Sequence, residues 1–191
     1  MDNLELKIFN YLSKRISPKR FEHSYSVAML AAELAEIHNV DVYQAQTAGL
    51  LHDLAKYKTA QEQALFFRNR KKPKYFEDIK RNAPKLLHGF IAAIVAKEEF
   101  GIRNKDVLNA ISSHTLARAG MSALEKIIFI ADYTAEGRKR KELKALRNLA
   151  KKDLDAAFKA VMTSKLSYVI ERNMWLCVQT VDAWNYYVKE I

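Results

Sequence analysis

Apolar residues recur three and four positions apart along almost the whole chain, the spacing of one face of an α-helix rather than the strict alternation of a strand. The pattern predicts an all-α protein in which no strand is required. Start and stop signals divide it. Ser17-Pro18 places a cap residue before a proline at the first helical position and opens a helix to about His38. Asp41, with Gln44 three residues on, resembles a capping box and opens the next, to about Lys56. A basic, partly helical stretch containing Pro73 follows. Asn82-Ala83-Pro84 then restarts a helix that Gly101 ends as a C-terminal cap. Asn104 caps a helix to about Thr115, and Ser122 with Glu125 forms a capping box for one running past Asp132. Two further helices, at about 140–150 and 153–171, precede one near 178–189. No repeat, low-complexity tract or linker interrupts the series, so residues 1–191 are expected to form a single helical domain. Its core is expected at about 17–135, with the helices of about 140–191 packed on it.

Composition narrows the class. A chain of 191 residues that is 49% hydrophobic, with 5 Gly and 3 Pro, is neither disordered nor collagen-like. At this length folding removes roughly 70% of the unfolded surface from water, so the core needs no disulfide staples. The single Cys177 has no internal partner, which suits a reducing compartment, and it reads as a small buried hydrophobe rather than a nucleophile. The longest apolar runs fall far short of the roughly 20 residues of a membrane span. The start, MDNLELKIFNYLSKR, lacks the layout of a secretory signal. A cytoplasmic protein with no membrane partner is expected.

The net charge of +10 is concentrated in two places. Residues 68–85 carry eight Lys/Arg against Glu77 and Asp78, and residues 138–152 carry eight against Glu142, so the remainder is slightly acidic. Such local fields favour a polyanion, or else mark solvated basic helix faces. Nucleic acid is the weaker choice of polyanion, because no zinc-finger spacing, RNP-type aromatic signature or clear recognition helix is present.

Chemistry enters at the polar residues on apolar stripes. His23 precedes Val27, Leu30, Ala31 and Leu34 at helical spacing; His52 shares a face with Ala45, Ala48 and Ala55. His88 aligns with Ile91, Ala92 and Val95, His114 with Val107 and Ile111, and Asp132 with Ile128 in KIIFIAD. Five helices thus each turn one ligand-type side chain inward. A carboxylate carried into an apolar core costs several kcal/mol unless a cation accepts it, and a metal would. Asp53 follows His52 about 100° round the helix, so an imidazole and a carboxylate leave the same turn and reach one ion or two adjacent ions. One such histidine alone would read as a hydrogen-bonded core residue; four with two acids read as a metal centre. His38, at a helix end, is instead expected to place favourable charge at that C-terminus. Imidazole and carboxylate together suit iron, manganese, zinc or cobalt over calcium.

At His23, His52-Asp53 and Asp132 the sequence resembles the HD-domain metal-dependent phosphohydrolases, whose pattern is H…HD…D. The doublet stands in GLLHDLAK and is followed in order by LLHG, ISSHT, AGMSALEKIIFIADY and EGR. That series is similar to the YqeK-type branch, the symmetrical bis(5′-nucleosyl)-tetraphosphatases, from about residue 20 to 185. The resemblance implies a helical bundle with the metal between core helices, one or two divalent ions, iron foremost, and hydrolysis of diadenosine tetraphosphate to two ADP. It assigns metal binding to His23, His52, Asp53 and Asp132, with His88 and His114 serving a second metal or the substrate phosphates. Lys56, Thr115 and Arg138 match phosphate-facing positions, and Asp132 also borders the substrate. Asp53 is the candidate for orienting the nucleophile, and His88 or His114 for protonating the leaving oxygen.

The chain also departs from that family. Thr134-Ala135-Glu136-Gly137-Arg138 lacks a proline usual before the glycine, and Trp175-Leu176-Cys177-Val178 replaces a Pro-Ile-His-Pro core, which bears on base preference. Trp175 either stacks on a base or packs internally. Trp184, Tyr186 and Tyr187 form either a homodimer surface or an internal contact. An HD phosphohydrolase acting on another nucleotide, such as a guanosine polyphosphate, a deoxynucleoside triphosphate or a 5′-nucleotide, would have the same metal site.

Overall fold

The computed structural model describes residues 3–135 and 141–189. Among the described residues there are eleven α-helices, one 3-10 turn and no strand, in agreement with the all-α expectation. Helix α1 (Asn3–Ser13) buries Ile8 and Leu12. Helices α2 (Pro18–Ile37) and α3 (Val42–Leu51) form an intimate antiparallel pair. A β-carbon built on Gly49 would lie 2.6 Å from Ala28 Cα, so the two backbones touch where the glycine of GLLHD stands.

Helix α3 stops at Leu51, short of the expected Lys56, and residues 52–57 continue in turns. The amides of Leu54 and Lys56 bond back only three residues, to Leu51 and Asp53, tightening the chain where the helix would have continued. Asp41 accepts the Gln44 amide at 2.9 Å, but the Gln44 side chain returns to the Asp41 carboxylate rather than its backbone, so only half of the expected box forms.

Short helices α4 (Ala60–Phe66) and α5 (Phe76–Asn82) flank the first part of the basic stretch, which continues through α5. Several of its cations meet acids: Arg70 bonds Glu98 at 2.5 Å, and Lys72 bonds Glu77 at 2.6 Å. This part of the positive charge is a solvated face. A 3-10 turn, Pro84–Leu87, leads into α6 (His88–Phe100), which ends at Gly101 in the left-handed conformation (φ 69°). Helix α7 (Lys105–Ser113) is capped by Asn104, and α8 (Ala123–Thr134) opens with the full Ser122–Glu125 capping box. Helices α9 (Lys141–Lys152), α10 (Leu154–Glu171) and α11 (Val178–Val188) complete the chain.

Helix α8 is central, packing against α2, α3, α7, α9 and α10. Its middle turn is apolar all round because it is surrounded: Ile127, Ile128, Phe129 and Ile130 are all buried. Tyr187 anchors α11, with its ring 4.8 Å from Phe158 and its hydroxyl accepting the Met121 amide at 2.6 Å. Of the three carboxy-terminal aromatics, Tyr187 is therefore internal, Trp184 packs partly buried on the core, and Tyr186 is exposed. Among the described residues no helix is long and apolar enough to cross a membrane.

Candidate metal centre

The sequence-selected ligands come together, and most stand at helix ends. His23 lies inside α2 and Asp132 near the end of α8. His52 is the residue after α3, His88 the first of α6, and His114 the residue after α7. These last three share one device: Nδ1 of His52, His88 and His114 lies 2.7 Å from the carbonyl oxygen three residues earlier, of Gly49, Lys85 and Ile111 respectively. Each Nδ1–H donates to that oxygen, leaving Nε2 as a lone pair aimed inward. The same bonds help to stop α3 and α7 earlier than the apolar spacing predicts.

The Nε2 atoms converge on two carboxylates. Nε2 of His23 is 3.2 Å from Asp132 Oδ1, and Nε2 of His52 is 3.7 Å from both Asp132 Oδ1 and Asp53 Oδ2. Asp53 Oδ1 faces Nε2 of His88 at 3.1 Å and of His114 at 3.6 Å, while those two nitrogens are 3.1 Å apart. One atom each from His23, His52 and Asp132 falls within 4.8 Å of the others, and so does one each from His52, Asp53 and His114. His52 Nε2 and Asp53 Oδ1 are buried with no hydrogen-bond donor. With Nδ1 protonated on three rings, lone pairs face lone pairs in a dry core, an arrangement that repels itself unless a cation lies among them. The donor set fits a divalent ion of the iron, manganese, cobalt or zinc type.

Burial sets the electrostatics. It pushes the His52 pKa down to about 4 and lowers that of His88, so both rings are neutral, as ligands must be. Burial alone would raise Asp53 and Asp132, but it is outweighed. The imidazoles of His52, His114 and His88 around it and the Lys56 ammonium hold Asp53 well below the usual carboxylate range; His23 and Lys165 lead the same effect at Asp132.

Cations border the cluster. Lys56 Nζ lies 2.9 Å from Asp53 Oδ2, where the motif placed it, and Arg20 Nη1 lies 3.1 Å from the same oxygen. Arg20 was not among the sequence candidates, although its position one turn before His23 on α2 was a signal for it. Thr115 Oγ1 is 3.0 Å from His114 Nε2. Beside Thr115 and Asp132 opens a cavity of about 710 Å³, walled by Tyr133, Tyr168 and Trp175 among others and entered by Lys165. Trp175 is thus a wall residue of this chamber, and the free, buried Cys177 stands next to it with its thiol pushed up by burial. Gln179 and Thr180 at the start of α11 donate to the carbonyls of Ala117 and Leu116, holding the turn after His114 in which Ala117 adopts φ 58°. His38 lies outside the cluster, its Nε2 2.6 Å from the Ala150 carbonyl, so it ties α2 to α9 rather than only serving the helix end. Arg138 lies outside the described residues.

Residues 20–137 match the HD domain family. The chain is 31% identical to "Bis(5'-nucleosyl)-tetraphosphatase, symmetrical" of Halalkalibacterium halodurans, over 94% of each chain. It is 31% identical to the protein of that name from Staphylococcus aureus, over 91% of this chain and 89% of the other. Among solved structures, a Clostridium acetobutylicum protein described as a "predicted HD superfamily hydrolase involved in NAD metabolism" superposes with a TM-score of 0.90 at 37% identity over 97% of both chains. Matched in sequence over most of its length and in backbone over nearly all of it, the chain belongs to the HD-domain family, in the group that contains the symmetrical bis(5′-nucleosyl)-tetraphosphatases.

Proposed function

We propose that this chain hydrolyses dinucleoside polyphosphates, cutting diadenosine tetraphosphate symmetrically into two ADP with iron as the first choice of metal. The observation that carries the reading is the convergence of unpartnered lone pairs, at His52 Nε2 and Asp53 Oδ1, beside a cavity of nucleotide size. The names borne by the relatives support the choice of substrate. His23, His52, Asp53 and Asp132 would hold the ion, and His88 with His114 would serve a second ion or the substrate phosphates. A divalent ion there supplies Lewis acidity, offsetting phosphoryl charge and making water a competent nucleophile.

The remaining work belongs to the protein. Water oxygen bonds to the second phosphorus from one nucleoside as the bridge to the third breaks, and both fragments leave as ADP. Asp53 Oδ1 accepts a hydrogen bond from the attacking water and fixes its direction. Where no second ion is held, Nε2 of His88 or His114 takes a proton from the attacking water and returns it to the departing oxygen, with Thr115 Oγ1 within reach of the same nitrogens. Arg20 and Lys56, already at Asp53, face the polyphosphate and take up charge that develops as the bridge opens. Arg138 is assigned a phosphate-facing role by its motif alone. The reading treats residues 1–191 as one HD domain working in the cytoplasm on a free nucleotide.

The test is anaerobic loading of the purified chain with Fe²⁺, Mn²⁺, Co²⁺ or Zn²⁺, followed by chromatography of products from diadenosine tetraphosphate. ADP alone is expected. ATP with AMP would mean asymmetric attack, and turnover confined to a guanosine polyphosphate or a mononucleotide would transfer the site to another substrate.

A further inference from the structure

The chain leaves α7 at His114 through a turn that bends at Ala117, whose φ is 58°. Asn39 and Asn173 share this left-handed backbone, but asparagine tolerates it through local hydrogen bonds that alanine cannot make. Ala117 is therefore strained and must be held from outside. The peptide unit between Leu116 and Ala117 is fixed at both ends. Its N–H donates to the Ser113 carbonyl at 2.9 Å, and its C=O accepts from Thr180 Oγ1 at 2.9 Å. The next carbonyl, of Ala117, accepts from Gln179 Nε2 at 2.6 Å. Both side chains stand in the first turn of α11, beyond the residues 20–137 that match the HD domain.

Rotation of Ala117 into the right-handed region would swing these two carbonyls out of line with α11 and break both bonds together. Thr115, two residues before, would be displaced with the turn. Its Oγ1 lies 3.0 Å from His114 Nε2 and 3.4 Å from His88 Nε2, so a shift of about 1 Å in the turn is felt at both rings. The donors on α11 and the strained residue thus oppose each other across the backbone that follows His114.

Resting on the reading of the site as a dinucleoside polyphosphate hydrolase, we propose that Gln179 and Thr180 are positioning residues, which hold Ala117 left-handed and thereby set Thr115 and His114 at the metal centre. Helix α11 completes a site whose histidines and carboxylates all come from earlier in the chain.

The test uses the full chain with Gln179→Met, which removes the donor at similar length, with Thr180→Val and Thr180→Ser, and with Gln179→Met joined to Ala117→Gly. Glycine takes up the left-handed backbone without strain, so it should restore a turn that has lost its clamp but cannot mend a loosened α11. Gln179→Met is expected to keep its fold and metal and to lower kcat about 10-fold with KM unchanged. In the metal-free chain, amide exchange at residue 117 should quicken about 10-fold and the His114 ring signals should move in NMR spectra. Thr180→Val should alter both signals likewise, Thr180→Ser should stay near wild type, and Ala117→Gly should return most of the kcat lost in Gln179→Met. An unchanged kcat in Gln179→Met overturns the proposal, as does a loss that Ala117→Gly fails to restore, which would make α11 a structural support only. If the wild-type chain leaves the tetraphosphate intact, the proposed function fails, while the His114 ring signals still decide the clamp: unmoved in Gln179→Met and Thr180→Val, they overturn it.

Discussion

Gly89 packs beneath the His114 imidazole: a β-carbon at residue 89 would stand 3.2 Å from His114 Cε1, 3.4 Å from Nδ1 and 3.1 Å from the Ser112 carbonyl oxygen. The residue after His88 lacks a side chain because that space belongs to the next histidine. Gly89→Ala pits two effects against each other. Alanine favours the helix by about 0.5–1 kcal/mol, but its methyl pushes His114 away from His88, whose Nε2 atoms are 3.1 Å apart. Metal affinity and turnover are expected to fall about 10- to 100-fold with the melting temperature unchanged or higher. Wild-type activity in this variant would show that the ring position is not critical.

Asp53 faces His88 and His114 through Oδ1, and His52, Arg20 and Lys56 through Oδ2. Asp53→Asn keeps the shape and removes the charge. Hydrolysis should drop on the order of a hundredfold or more, with metal content reduced and the helical circular dichroism intact. Full turnover at saturating metal would remove Asp53 from the machinery.

Much of this site was legible because caps and stripes are local. Ser122 with Glu125, Ser17-Pro18 and Gly101 act within a few residues, and the helices begin or end where they point. The ends of α3 and α7 were misplaced for a specific reason. Apolar spacing runs on through Ala55, but His52 and His114 turn their rings onto carbonyls three residues back, and that choice is favoured by a cluster assembled from distant helices. The same distance hid Lys165, 33 residues beyond Asp132 on a helix whose pattern marks it as an ordinary polar position.

Glu125 supports the centre from behind. Fully buried, it takes the guanidinium of Arg118 through both carboxylate oxygens, accepts from Ser113 Oγ at 2.8 Å and closes the capping box of α8 at the Ser122 amide. Glu125→Ala removes these acceptors together while touching no member of the His/Asp cluster. Stability should fall by about 3 kcal/mol in urea unfolding, with turnover largely kept well below the melting temperature. A negligible change in urea midpoint would show that Arg118 and Ser122 find water instead.

In metal-free protein the buried rings impose a pH dependence whose sign is set by burial. His52 titrates near 4 when folded and near its ordinary 6.5 when unfolded. Above pH 6.5 both states are neutral and nothing is lost. Between pH 6.5 and 4 the unfolded chain takes a proton that the folded core refuses, so stability declines, by about 3 kcal/mol from His52 alone at the lower end. His88, lowered by the same burial, adds in the same direction. Asp53 and Asp132, held well below their ordinary 3.8, extend the loss to lower pH, because there too the unfolded chain protonates first. A divalent ion binds the Nε2 lone pairs of the folded state only, so loading should raise stability near neutrality and be lost by release as protons compete in acid. Urea unfolding of chelator-treated protein from pH 7 to 4 measures the slope, and His52→Leu should flatten it by up to about one proton. A stability that stays level over that interval would mean these imidazoles are hydrated, and the dry, cation-seeking centre would not exist.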